Sequence, residues 1–220
     1  MNYIYIYIMN IDNLNLDTGD IILFSNKSQN RFNPFYYLSL LIDWGTHSNL
    51  THVGMVVKNP KFLENHNTCE DGLYFWESSW EGLGIKDAND NKSKLGVQLV
   101  PLKDILYSNK NACDFYVRKL NNHSFETDNL KKINDIVYNK PYDLYPKDWF
   151  NAFLRRDPTP QKINSFWCSA LVGYIYTKLG ILKEDTDWCI LTPDNFSLTG
   201  ENLNFINEYG LLEEEFKIIF

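Results

Sequence analysis

The sequence has few cysteines, and none is spaced for a metal site. The four are Cys69, Cys113, Cys168 and Cys189, and no CxxC pair occurs. The single close His/Cys pair, His66 and Cys69, has no second pair to complete a zinc site. Two disulfides are formally open, but a 220-residue chain rich in aromatics folds without them, so reduced thiols in a reducing compartment are favoured.

Positive charge is also scarce. The chain carries 21 Lys and Arg against 28 Asp and Glu, which gives a net charge of -7. No basic cluster is longer than a pair such as Arg155-Arg156, which is followed directly by Asp157. Because affinity for phosphate comes from clustered Lys and Arg, the composition argues against a nucleic-acid-binding protein.

Hydrophobic runs long enough to span a bilayer are absent from the sequence. The apolar start, MNYIYIYIM, lacks a basic region and a small-residue cleavage site, so we do not interpret it as a signal peptide. Its Tyr/Ile alternation predicts a strand at a sheet edge. The expected compartment is the cytoplasm. Abundant Asn, Ile, Tyr and Lys are typical of the AT-rich genome of a parasite, a bacterium or a virus. For a viral protein the expected compartment is the host cytoplasm or the virion.

Aromatic and aliphatic residues are plentiful: 44% of the chain is hydrophobic, with 14 Phe, 14 Tyr and 6 Trp. With no internal repeat or linker, this composition predicts a single α+β domain over residues 1–220. The patterning predicts strands over 21–24, 52–57, 73–78, 97–100, 114–119 and 215–220, and helices over 34–43, 101–107, 128–138 and 166–179. Thr127 and Ser165 are expected to cap two of these helices, and Gly180 to end the last one.

Cys168 is the first candidate for chemistry, since it lies in the first turn of the last predicted helix. A thiolate at that position faces unpaired backbone N–H groups and the positive end of the helix dipole, which favour the reactive anion. The same N–H groups, including that of Cys168, could hold an oxyanion. The alternative is a small buried thiol that only packs under the helix.

His52 and Glu77 are the candidate base and its orienting acid. His52 begins a predicted strand after a polar loop, and Gly54 on the same face is expected to leave open space beside it. Glu77 ends the strand expected to neighbour that of His52, where a carboxylate would fix the imidazole tautomer. The alternatives are a solvent-bonded histidine and a solvated glutamate. His47, His66 and His123 are rival bases, each in a predicted loop.

These three residues lie in short motifs that resemble a known family. His52 lies in T-H-V-G-M-V-V, Glu77 in Y-F-W-E-S-S-W-E-G, and Cys168 in F-W-C-S-A-L-V, after G-V-Q-L-V-P-L. With D-T-G-D-I-I-L-F and T-P-D-N-F, their order is similar to that of the permuted NlpC/P60 papain-like proteins, which include YiiX-like proteins, a poxvirus family and lecithin retinol acyltransferase relatives. The resemblance covers about residues 17–200, without 61–72 and 141–164.

The resemblance implies an antiparallel sheet or small barrel packed against the helix that bears the cysteine. It also implies a Cys-His-Glu hydrolase or acyltransferase that acts on an amide or ester bond of a peptide or lipid acyl group. The thioester mechanism requires no metal or organic cofactor. Backbone support for the oxyanion is assigned to Cys168 and Trp167, and the substrate pocket to Trp44, Trp80, Tyr142 and Trp149.

Two other functional classes are consistent with the sequence. One is a binding module that keeps the fold without turnover, and the other is a structural protein such as a virion component. Peripheral membrane contact through the Trp/Tyr-rich segment 141–153 would favour a lipid substrate. All three site residues are present, which argues for an enzyme.

Overall fold

The computed structural model describes residues 6–27, 49–63, 70–79, 84–143, 163–200 and 203–220. Seven strands and three α-helices lie in these ranges. They are β1 (Ile6–Asn10), β2 (Ile21–Asn26), β3 (Leu50–Lys58), β4 (Leu73–Ser79), β5 (Gly96–Pro101), α1 (Leu102–Asn109), β6 (Cys113–Leu120), α2 (Thr127–Val137), α3 (Cys168–Lys178) and β7 (Leu211–Ile219). The chain is therefore of the expected α+β class.

All seven described strands form one sheet in the order β1-β7-β6-β2-β3-β4-β5. Every neighbouring pair is antiparallel except β1 and β7, which are parallel. The expectation of an antiparallel sheet is thus wrong at one edge. Two strands from opposite ends of the sequence need no tight hairpin between them, so either orientation is available to them. In the described residues the sheet is open, with β1 and β5 at its edges.

Apolar side chains cover both faces of the central strands. One cluster includes Val53, Met55 and Trp76 of the sheet and packs against α3, whereas the other includes Val56 and Phe75 and packs against α1. Successive residues of a strand point to opposite faces, so a strand covered on both sides is apolar at nearly every position. This explains the continuous apolar runs of β3 and β4.

The predicted strands are all present within the described residues, and the structure extends the first five of them by one or two residues at one or both ends. The strand predicted over 215–220 begins earlier, at Leu211. The strand expected from the Tyr/Ile alternation is β1, and it lies at an edge of the sheet. The helix predicted over 34–43 lies outside the described residues. No helix in the described ranges has the length and apolarity needed to cross a membrane.

The two predicted N-caps are wrong. Thr127 is the first residue of α2 and Glu126 is the cap, without a side-chain capping bond. Ser165 lies before α3, and its hydroxyl instead donates to Asp143 at 2.9 Å. The predicted stop is confirmed: Gly180 follows the C-cap of α3 with a φ of 72°, in the left-handed region that glycine adopts without strain.

Candidate active site

Two neighbouring strands bring His52 and Glu77 together. His52 lies near the start of β3, and Glu77 lies in β4, which pairs with β3. The Nε2 atom of His52 is 2.5 Å from Oε2 of Glu77, whose side chain is only 1% exposed. The alternative interpretation of Glu77 as a solvated glutamate is therefore wrong. A buried carboxylate requires hydrogen bonds or a positive partner, and His52 supplies both when it is protonated.

A β-bulge lies directly before His52. In the β2–β3 ladder, Phe24 pairs with His52 and Ser25 pairs with Leu50, so Thr51 is an additional residue in β3. Such bulges bend a strand and turn its side chains, and they are frequent next to active sites. Sequence periodicity alone does not reveal this feature, because the apolar pattern of β3 begins only after it.

Aromatic rings support the imidazole from within the sheet. The His52 ring lies 5.1 Å from that of Phe24, edge to face, and 6.1 Å from that of Phe75. The expectation of open space at Gly54 is wrong, because a Cβ atom there would lie 2.4 Å from Cζ of Phe75. Gly54 is therefore required for the Phe75 ring, and that ring limits the movement of His52.

Cys168 is the first residue of α3, which confirms its predicted place in the first turn. Trp167 is the N-cap, and its carbonyl accepts the N–H of Leu171 at 3.1 Å. The Trp167 side chain makes no capping bond, so it leaves the first N–H groups of the helix to a negative charge on the sulfur or on a substrate oxygen. Cys168 is a thiol, not part of a disulfide, and is 5% exposed.

The Cys168 side chain lies beside the His52 ring, close enough to act on the pKa of the imidazole. Because Glu77 holds Nε2 of that ring, Nδ1 is the nitrogen that remains for the sulfur. Burial acts to lower the pKa of His52. The hydrogen bonds and negative charges of Cys168 and Glu77 outweigh burial and raise this pKa to about 10. The site therefore favours an imidazolium at His52, beside Cys168 and Glu77.

Strand β4 also holds the segment that leads into α3. Next to Glu77, the hydroxyl of Ser78 donates to the carbonyl of Phe166 at 2.6 Å, two residues before Cys168. Phe166 also forms a parallel bridge with Tyr142. Since neighbouring residues of a strand point to opposite faces, β4 holds His52 through Glu77 and the segment before Cys168 through Ser78.

Tyr142 is the one predicted pocket residue within the described ranges. Burial, followed by the charges of Cys168, Asp143 and Glu77, raises its pKa well above the ordinary value. The phenol of Tyr142 therefore keeps its proton beside Cys168 and Glu77. Its three companions in the prediction lie outside the described residues: Trp44, Trp80 and Trp149.

The rival histidines do not join the site in the described residues. His47 and His66 lie outside them. His123 bonds Asp20 at 2.8 Å, near the start of β2 and away from the bulge that precedes His52. Trp167, assigned to backbone support, donates its indole N–H to the carbonyl of Leu191 at 3.3 Å.

Gln98 is a site residue that sequence reasoning missed. Its amide Nε2 donates to Oε1 of Glu77 at 2.7 Å, and Gln98 is 5% exposed. The available signal was a polar amide inside the apolar run V-Q-L-V, which marks a buried group that needs a partner.

Within the described ranges, no group of three or more His, Cys, Asp or Glu is arranged to hold a metal ion. No protein-family model and no curated protein sequence matches this chain.

Proposed function

We propose that this chain is a cysteine-dependent hydrolase or acyltransferase of the permuted papain-like type, acting on an amide or ester bond. The observation that carries the proposal is the placement of one imidazole between two groups: His52 bonds Glu77 through Nε2, and the Cys168 side chain lies beside the same ring. A thiol that bonds an imidazole, itself oriented by an acid, is the arrangement that activates a sulfur nucleophile. The chain order of histidine, acid and cysteine agrees with the permuted group.

The proposed first half-reaction is attack on a carbonyl carbon. The thiolate of Cys168 forms the new C–S bond, and the carbonyl electron pair moves to oxygen. The resulting oxyanion is held by backbone N–H groups at the start of α3, including that of Cys168. The oxyanion then collapses, the C–N or C–O bond breaks, and His52 gives its Nδ1 proton to the leaving amine or alkoxide.

The second half-reaction releases the thioester. Neutral His52 takes a proton from water or from another acceptor, which attacks the thioester carbon and expels the sulfur. Water gives hydrolysis, and an amine or alcohol gives acyl transfer. Glu77 stabilises the imidazolium at both stages and holds the ring orientation through Nε2. We propose peptide and lipid acyl groups as the substrate classes.

Acyl-enzyme trapping tests this proposal. We would mix the protein with a panel of peptide esters and phospholipid esters, follow the first turnover for a burst, and map the adduct by mass spectrometry. We expect an acyl group on Cys168 in the wild type and no burst from Cys168→Ala. Binding of a substrate without any acylation of Cys168 would favour the non-catalytic binding module instead.

A further inference from the structure

Three adjacent strands each contribute one member of a hydrogen-bonded series. Gln98 of β5 lies directly opposite Glu77 of β4 in the ladder, and Glu77 bonds His52 of β3. Opposite residues in an antiparallel pair have their Cβ atoms about 5 Å apart, a spacing set by the backbone. The sheet itself therefore holds Gln98 against the carboxylate.

Both oxygens of Glu77 are thereby engaged. Oε2 faces Nε2 of His52 at 2.5 Å, and Oε1 accepts from Gln98 at 2.7 Å. With one oxygen held from each side, the carboxylate cannot rotate to exchange them without losing both bonds. An ionised carboxylate only accepts, so the amide must direct its NH2 group toward it.

The chemistry of an amide suits this position better than that of an acid or a base. The amide is a hydrogen-bond donor without net charge, so it stabilises the carboxylate and does not compete with His52 for ion pairing. The alternative role for Gln98 is structural, since any buried carboxylate oxygen needs a donor. The two roles differ in what they predict for the pKa of the His52 imidazole when the Gln98 donor is removed.

We propose that Gln98 is a positioning residue that orients the Glu77 carboxylate for His52, so that the site is a series of four residues: Gln98, Glu77, His52 and Cys168. This inference rests on the proposed function, because it assigns Gln98 to the same thiol activation. Gln98 touches no reacting atom and acts only through Glu77.

The test is the titration of the His52 ring by NMR in histidine-labelled protein, assigned with His52→Gln. Gln98→Met keeps the shape of the side chain and removes the donor. We expect the wild-type ring to titrate at about pH 10 and the Gln98→Met ring at least about one unit lower. Gln98→Asn, whose shorter amide falls short of Glu77, gives a second variant if Gln98→Met does not fold.

Asn89→Leu is the matched control. Asn89 is also a buried amide that donates to a buried carboxylate, Asp87, at 2.8 Å, and the described residues place no histidine on Asp87. We expect this control to lower thermal stability and leave the His52 titration unchanged. If the His52 ring still titrates at pH 10 in Gln98→Met, or if Gln98→Met and Asn89→Leu shift its titration equally, Gln98 is not a positioning residue. Either result would leave the proposed function in place. A wild-type ring that titrates near 6.5 would instead contradict the proposed function.

Discussion

At the scale of single residues, the charge on the His52 imidazole depends on the acid beside it. Glu77→Gln keeps the shape and removes the negative charge, so the imidazolium loses a stabilising partner. We expect kcat/KM for an acyl substrate to fall by about 100-fold or more. We also expect the alkaline limb of its pH profile, set at about 10 by His52, to move to lower pH.

Glu214→Gln is the control for this change, because Glu214 is exposed on β7, four strands from β4. Its pH profile should match that of the wild type. An alkaline limb in Glu77→Gln that stays at its wild-type position would contradict the role of Glu77.

Gly54 carries a prediction about packing. In Gly54→Ala the new methyl would lie 2.4 Å from Cζ of Phe75 and 2.8 Å from the backbone oxygen of Trp76. We expect a loss of about 1–3 kcal/mol in the free energy of unfolding, measured by urea denaturation, since the backbone oxygen cannot turn away. Gly210→Ala, with its nearest neighbour at 3.9 Å, should change stability by less than about 0.5 kcal/mol. Equal effects of the two substitutions would contradict this account.

Residue type and position in the predicted elements pointed to the three members of the series but not to their surroundings. His52, Glu77 and Cys168 were found because each lies at the start or end of a predicted element. Gln98 was missed because its partner becomes visible only when β4 and β5 are placed in register. The prediction of open space at Gly54 was wrong because the sequence does not show that the Phe75 ring packs against this glycine.

At the scale of elements, the position of Cys168 depends on how β4 holds the residues before α3. Ser78→Ala removes the hydroxyl that bonds the carbonyl of Phe166. We expect a stability loss of about 1 kcal/mol. We also expect Cys168 to be alkylated at least about tenfold more slowly, because small misplacements of a reacting group are costly.

Thr177→Val is the matched control, since Thr177 donates its hydroxyl to the carbonyl of Gly173 at the opposite end of α3. It should lose similar stability and keep the wild-type alkylation rate. A Ser78→Ala protein that alkylates as fast as this control would remove Ser78 from the positioning of Cys168.

The elements themselves were largely predictable, because apolar periodicity marks buried strands and amphipathic helices. Their ends were less so. The capping predictions at Thr127 and Ser165 failed because Ser165 found a tertiary partner in Asp143, and Thr127 entered the helix rather than preceding it. The bulge at Thr51 depends on pairing with β2, which local sequence does not encode.

At the scale of the whole molecule, the state of His52 links stability to pH. Its pKa rises from 6.5 to about 10 on folding, so the folded state binds its proton more tightly. The stabilisation is then fully present below pH 6.5 and is lost as pH rises through about 10. We expect the difference in unfolding free energy between wild type and His52→Gln to shrink over that range. A difference that grows with rising pH would contradict the raised pKa.

Long-range topology was the least predictable level. The sequence predicts β1 and β7 as separate strands. The local sequence of either strand does not indicate that the two pair in parallel. The consequence for the site is limited, because β1 and β7 are on the far side of β2 and β6 from the strands that carry His52, Glu77 and Gln98.

The central claim is that His52 activates Cys168, and site-resolved alkylation tests it most directly. Cys113 provides an internal comparison: it is similarly buried, 7% against 5% exposed, but its sulfur faces the side-chain oxygen of Asn26 at 3.4 Å instead of an imidazole. Treatment with iodoacetamide at pH 6.5, followed by mass spectrometry, should label Cys168 at least about tenfold faster than Cys113. His52→Ala should abolish that preference. Equal labelling of the two thiols in the wild type, or a preference that survives His52→Ala, would contradict the claim.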